Sequence, residues 1–307
     1  MAKPVLSSKH FHDEEAAFAF VEAHLWPNGP VCPFCGETER VGRLQGKTTR
    51  AGLRKCYACK KPFTVRMGTI FEDSHLPLRL WLQVTHLMCA SKKGISTRQV
   101  QPLLNCSMRT AWHLTHRIRE AMAPAKDAPK LGGEGKVVEV DEVFLTNSPK
   151  TKKAPGYQHK MAVLSLVERD GATRSVVLER SPSQPEIYTA LWQNVDEATT
   201  IHTDGAQYYR NNPMAKHETV NHSIGEYARD GVHVNTAEGY FSVFKRGMIG
   251  TYQKVESQHL HRYVAEFDFR QSTREKLGVN DTMRTEIALK GFKGKRLTYR
   301  TTCEQRA

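Results

Sequence analysis

The sequence predicts a multi-domain chain in which a small cysteine-clasped module and a helical region precede an α/β domain built on a mixed sheet. Three observations predict it. Two C-x2-C pairs lie twenty residues apart near the start, and apolar stripes of helical period follow between residues 78 and 122. Beyond a proline- and glycine-rich break, β-rich runs alternate with helical ones, and two of those runs end in aspartate. A chain of 307 residues has room for two or three modules and at least one full-sized core.

Charge narrows the partners. Lys and Arg number 45 against 32 Asp and Glu, a net charge of +13 spread over every segment, and nucleic acid is the natural counterpart of such a chain. No apolar run approaches the roughly 20 residues that span a bilayer. The start, Met1-Ala-Lys-Pro4 followed by a charged helix, lacks the apolar core of a signal peptide, so a cytoplasmic location is expected and no membrane partner.

Asp13 to Leu25 reads as a helix with acids in its first turn and Ala17, Phe20, Val21 and His24 on one face; His10, His12 and His24 read as ordinary polar positions. Cys32-Pro-Phe-Cys35-Gly and Cys56-Tyr-Ala-Cys59-Lys then have the spacing of a four-thiolate zinc ribbon. Each C-x2-C turn can aim two sulfurs at one ion, and a tetrahedral Zn²⁺ needs two such turns. The Arg- and Lys-rich stretch between them reads as a short hairpin, and Pro62 to Arg66 as a closing strand.

A helix is predicted from Leu78 to about Ala90, striped by Leu80, Trp81, Val84, Leu87 and Met88 and broken at Gly94. Ile95 to Leu104 and Ser107 to Met122 form two more, joined by Asn105-Cys106, with Ser96 and Ser107 as N-caps. The pair has a helix-turn-helix pattern, against which stand a plain helical hairpin and Pro102 inside the first member. In a major groove, the second helix would present Arg109, His113 and Arg117 to DNA. Ala123 to Gly135 has two prolines, three glycines and no apolar period, and reads as a linker.

Val137 to Leu145, His159 to Glu168 and Thr173 to Leu178 read as strands, Pro185 to Val195 as a helix, Thr200 to Thr203 and His217 to Ser223 as further strands, before a helix that begins near Asn235. That order is the order of a ribonuclease H-like domain. It brings Asp141, at the end of Lys136-Val-Val-Glu-Val-Asp141, beside Asp204, at the end of Thr199-Thr-Ile-His-Thr-Asp204. Glu238 lies at the start of the later helix, and Lys245, seven residues on, returns to the same helix face. Three acids so placed suit hard Mg²⁺ or Mn²⁺, and a two-metal site could activate an attacking oxygen and stabilise a leaving one in a phosphodiester. Glu139 and Glu142 flank Asp141 and are assigned to the opposite strand face. Asn235-Thr-Ala-Glu238 is also an N-x-x-E sequence, in which the acid would fold back as a capping box.

At these residues the chain resembles bacterial insertion-sequence transposases of the DDE type with an N-terminal zinc ribbon. The likeness runs nearly end to end, through Trp26-Pro-Asn-Gly-Pro-Val-Cys-Pro-Phe-Cys-Gly36, Gly68-Thr-Ile-Phe71, Val140-Asp-Glu142, Thr203-Asp-Gly205, His233-Val-Asn-Thr-Ala-Glu-Gly239, Phe244-Lys-Arg-Gly247 and Arg262-Tyr-Val-Ala-Glu-Phe-Asp-Phe-Arg270. The resemblance implies binding of transposon ends, their cleavage, and strand transfer into target double-stranded DNA with Mg²⁺, by a homodimer or higher oligomer on DNA in the bacterial nucleoid. It makes Asp141 and Asp204 metal ligands, with Glu238 or Asn235 completing the site, and sets Lys245 and Arg246 on a phosphate near the scissile bond. The basic run Asn147 to Gly156 becomes a DNA-contact loop. Arg262 and Arg270, on a helix read over Val255 to Gln271, are further candidates for DNA contact. Two other readings of the same chain are a non-catalytic DNA-binding regulator derived from a transposase and a metal-dependent nuclease or resolvase of the same fold. The expected organisation is residues 1–67 for N-terminal helix and ribbon, 68–122 for the helical DNA reader, 123–135 for the linker, 136–275 for the catalytic domain and 276–307 for a basic tail.

Overall fold

The structure is a computed structural model that describes residues 4–297 except 126, 148–159, 179, 213 and 215. Most of the basic run at 147–156 therefore lies outside the described residues, as do 298–307 with Cys303. The chain forms two compact units: one holds the residues up to Ser91, Ile95–Ala123 and the chain from Asn280 onward, and the other holds Lys92–Gly94 and Pro124–Val279.

In the first unit, α1 (Glu14–Leu25) starts where the Asp13 carboxylate accepts the Ala16 N–H at 2.7 Å. Its buried face is Ala17, Phe18, Val21 and Leu25. Two of the four expected positions differ, with Phe18 and Leu25 buried in place of Phe20 and His24, which lie half-buried, Phe20 stacked with His10 at 4.0 Å. Three short strands, β1 (Val41–Arg43), β2 (Arg54–Cys56) and β3 (Pro62–Phe63), make an antiparallel sheet in that order. A two-pronged Arg54 to Glu22 contact, 3.1 and 2.6 Å, fastens the sheet to α1. Gly52, at φ +67°, lets the Phe18 ring sit where a Cβ would come within 2.0 Å of it.

Helix α2 (Leu78–Ala90) has no cap of its own; the Glu14 carboxylate accepts its first N–H groups, Leu78 at 2.7 Å and Arg79 at 3.2 Å. Helix α3 (Thr97–Leu104) opens on a Ser96/Gln99 capping box, tolerates Pro102 and stops at left-handed Asn105. Helix α4 (Met108–Met122) starts at Ser107, whose hydroxyl accepts the Thr110 N–H. The chain returns to this unit as α8 (Asp281–Lys290), a correction to the basic tail expected from residue 276. Ala288, Leu289 and Phe292 are buried, the Phe292 ring lies 5.1 Å from Phe71, and Gly68 to Ile70 pairs with Phe292 to Gly294. Cations at 290, 293, 295 and 296 dominate the composition there, but Leu289 just before them and Phe292 between them are buried in the core.

The second unit is built on five strands in the order β6-β5-β4-β7-β8: β4 (Val137–Asn147), β5 (Lys160–Glu168), β6 (Thr173–Leu178), β7 (Thr200–Asp204) and β8 (Lys216–Val220). The β4, β5 and β6 pairings are antiparallel, while β7 runs parallel to both β4 and β8. Helix α5 (Gln184–Asn194) covers one face with Val138, Val140, Leu164 and Ile201 beneath it. Helices α6 (Asn235–Gly247) and α7 (Leu260–Ser272) cover the other, over Val143, Met161, Val163 and Val167. The expected linker ends early, because Leu131 is buried and pairs with Val195, its N–H donating to Asn194 O at 2.8 Å.

Candidate active site and metal clasp

The parallel register brings the two aspartates together. Val137 to Val140 face Thr200 to Thr203 in sequence, so one further step sets Asp141 level with Asp204 on adjacent strands, which lie about 4.8 Å apart in a sheet. Asp141 accepts the Glu142 N–H at 2.8 Å, and Asp204 accepts that of Ala206 at 3.1 Å. Burial first, then the charge of Glu142, with Asp204 and Glu238 adding, pushes the Asp141 carboxyl up to about 7. The three acids therefore share one electrostatic environment. They are not closed on one another: among the described residues, the only set of three or more such ligands with donor atoms all within 4.8 Å is the cysteine set.

The flanking glutamates do not behave as a pair. Side chains alternate along a strand with period two, so Glu139 shares the Asp141 face and only Glu142 points the other way, which corrects their assignment together. Glu142 is held by the hydroxyls of Tyr208 and Tyr209, the latter at 2.6 Å, and burial raises its carboxyl above the ordinary value. Those tyrosines belong to the turn just after Asp204, so Glu142 ties the middle of β4 to the chain leaving β7. Glu139 is fully buried and accepts the Thr236 and Ala237 N–H groups at the start of α6.

That capping settles the local role of Glu238. Helix α6 follows Val234 with no side-chain cap from its own sequence, so the N-x-x-E box does not form. The Glu238 carboxylate is exposed instead, with His222 Nδ1 3.9 Å away. Asn235 is exposed one turn earlier, and Lys245 and Arg246 are exposed at the other end of the helix, where Arg246 Nε donates to Ser242 O. Neither the Tyr208-Tyr209 pair nor His222 had a signal in the sequence, because each acts on an acid distant from it along the chain. Glu139 had one, its period-two relation to Asp141.

On α4 the candidate DNA contacts separate. Arg109 is exposed and His113 half-buried, but Arg117 is only 5% exposed; its guanidinium donates to Glu72 O at 2.5 Å and lies over the Trp81 ring. It belongs to the core of the first unit, together with buried His116 and Arg119. On α7, Arg270 is buried and paired with Glu266, whereas Arg262 contacts His259 at 2.9 Å.

The four cysteines converge. Cys32 Sγ lies 3.7 Å from Cys59 Sγ, and Cys35 Sγ 3.6 Å from Cys56 Sγ. Sulfurs at the corners of a tetrahedron with Zn–S bonds of about 2.3 Å stand about 3.8 Å apart, so this donor set fits a structural Zn²⁺. Gly36, at φ +76°, shapes the first knuckle, and the Cys59 N–H donates to Cys56 Sγ at 3.5 Å in the second. Trp26, Val41 and Phe63 pack against the clasp.

Comparison with known proteins agrees with this pairing of a ribbon and an acid-bearing sheet. Residues 130–272 match the ISXO2-like transposase domain, and residues 12–62 match the transposase zinc-ribbon domain. The chain belongs to the insertion-sequence transposases that carry an N-terminal zinc ribbon. It is 28% identical over 290 residues to an uncharacterised protein in transposable element ISH50 of Halobacterium salinarum, covering 88% of this chain and 95% of that one. A chain from the cryo-EM structure of the simian T-cell lymphotropic virus intasome in complex with PP2A regulatory subunit B56 gamma aligns with 57% of this chain and 64% of its own length. The two share 12% sequence identity, with a TM-score of 0.30.

Proposed function

We propose that the protein is a DNA transposase of the DDE type, which binds the terminal repeats of its element, cleaves there and joins the ends to target DNA. The observation that carries this is the β4/β7 register: it sets Asp141 level with Asp204, on the sheet face covered by α6, the helix that bears Glu238. The strand order, three antiparallel strands followed by two parallel ones, supports a ribonuclease H-like domain. Asp141, Asp204 and Glu238 are oxygen donors whose mutual repulsion favours a bound divalent cation, so they fit Mg²⁺ or Mn²⁺. Such ions, when bound, supply a polarised attacking oxygen and charge neutralisation at the leaving one. The protein's part is to hold the three carboxylates and to aim the DNA strand, with Lys245 and Arg246 on a phosphate beside the scissile bond. Glu238 is preferred to Asn235 as third member because its charge reaches Asp141.

The helical pair α3 and α4 supports a helix-turn-helix reader, with Arg109 and His113 as its DNA contacts; the burial of Arg117 removes it from that set. Two transposon ends must meet, which favours a dimer or higher oligomer on DNA. Action on DNA sets the proposed work in the cytoplasm. No helix among the described residues is long and apolar enough to cross a membrane.

The test is incubation of labelled terminal-repeat DNA with the protein and Mg²⁺ or Mn²⁺. Asp141→Ala, Asp204→Ala and Glu238→Ala are each expected to abolish cleavage, with at least about a hundredfold loss, and Asn235→Ala to retain it. Cleavage that survives Asp204→Ala would refute the site, and nicking without joined products would identify a nuclease.

A further inference from the structure

On β4, Glu139 shares the Asp141 face, is not used by the proposed chemistry, and is fully buried. Its carboxylate accepts four bonds: from the N–H groups of Thr236 at 2.7 Å and Ala237 at 3.0 Å, from the Thr236 hydroxyl at 2.9 Å, and from Arg169 Nε at 2.7 Å. Arg169 spends its remaining donors on the chain that leads into α6, giving Nη1 to Gly231 O at 2.9 Å and Nη2 to His233 O at 3.0 Å, with His202 Nδ1 at 3.1 Å. His233 Nδ1 stands 3.2 Å from Glu139. One carboxylate thus joins β4, two residues before Asp141, to the first turn of α6, one residue before Glu238.

The buried face of α6, Ala237, Tyr240, Phe241 and Phe244, packs on the sheet, but Val234 precedes the helix without a side-chain cap, so the polar tie at its first turn is this carboxylate. An ion pair whose carboxylate is buried, as Glu139 is beside the partly exposed Arg169, is a poor device for stability alone, because apolar replacements of similar volume often serve as well. What a many-pronged pair does fix is geometry, and here it fixes the spacing between two elements that each carry one acid of the site.

We propose that Glu139 and Arg169 are positioning residues that set the approach of Glu238 to Asp141 and Asp204, and with it the affinity of the site for a divalent cation. The proposal rests on the reading of those three acids given above. It is tested on the full-length, zinc-loaded chain by titration with Mn²⁺, reading the free ion by its electron paramagnetic resonance signal, alongside the cleavage assay. Glu139→Gln and Arg169→Lys are expected to weaken Mn²⁺ binding by about tenfold or more. Their zinc content and far-ultraviolet circular dichroism are expected to stay those of the wild type. Cleavage by both should recover at raised Mn²⁺, a shift in metal dependence that a loss of folded protein would not produce. If Glu139→Gln does not fold, Arg169→Lys and Thr236→Val, which keep the buried carboxylate, decide the matter. Mn²⁺ affinity within twofold of wild type in the folded variants overturns the proposal, provided that Asp141→Asn and Glu238→Gln lose binding. Unchanged binding in those two acid variants overturns the site reading itself, and this proposal with it.

Discussion

Asp268, on α7, is buried with its carboxylate receiving the Ser175 N–H at 2.8 Å, the Ser175 hydroxyl at 2.7 Å and the Tyr240 hydroxyl at 2.7 Å. Burial outweighs those bonds and pushes its carboxyl up to about 6. The folded state therefore holds a proton that the unfolded chain releases near the ordinary aspartate value of 3.8. Its stabilising contribution is complete below that value and is lost as pH rises through about 6, a change on the order of 3 kcal/mol. Asp268→Asn can turn its oxygen to the Ser175 N–H and its amide to the two hydroxyls, both of which can accept. We expect the variant to gain on the wild type in melting temperature as pH rises from 4 to 7; a difference that is flat over that range would show that Asp268 does not titrate there. At this scale the sequence is read well where one residue ends one strand, as Asp204 does, whereas Asp141, also expected at a strand end, lies mid-strand because β4 runs on to Asn147. The sequence is read poorly where a side chain is claimed from elsewhere, as Glu238 is released from capping by Glu139 and Arg117 is drawn over the Trp81 ring.

Helices and strands of the second unit lie close to where periodicity puts them, because each has an apolar face that one sheet or helix layer covers. The ribbon is different. Its sheet has strands of three, three and two residues, and its own core holds only Cys32, Cys56 and Phe63. Such a module cannot bury enough apolar surface to order itself, so the energy must come through the thiolates. One zinc per chain is expected, lost in Cys32→Ser and in Cys56→Ser, with the ribbon amide resonances collapsing while those of the β4 to β8 sheet persist. Retention of stoichiometric zinc in both variants would rule out a four-thiolate clasp. The C-x2-C spacing made this legible without any long pattern, whereas the extent of β3 did not follow from it: Pro62 to Arg66 reads as a strand, yet only Pro62 and Phe63 find a partner strand.

The first unit is discontinuous in sequence, interrupted after Ala123 by the sheet-bearing unit and resumed at Asn280. No local pattern announces such a return, which is why the chain after residue 275 reads as a basic tail. Its consequence is specific. Leu289 and Phe292 are fully buried, each side chain contributing about 2–3 kcal/mol by burial alone. Arg284 Nη1 donates to Cys89 O at 3.0 Å, and Thr285 Oγ1 meets His86 Nδ1 at 3.0 Å, so removing them also strands polar atoms in the core of α2. Together these losses approach the whole stability of an ordinary domain, about 5–15 kcal/mol. A chain ending at Val279 is therefore expected to lose the cooperative melting of its first unit, while the sheet of the second keeps its own. The four tryptophans make this measurable: Trp26, Trp81 and Trp112 belong to the first unit, and Trp192, in the second, is already 56% exposed. Tryptophan emission should thus shift to that of solvated indole at temperatures where the β-sheet circular dichroism is intact. If the truncated chain instead melts in fluorescence at the temperature of the full chain, α8 and the segment to Phe292 are an accessory cover and not part of that core.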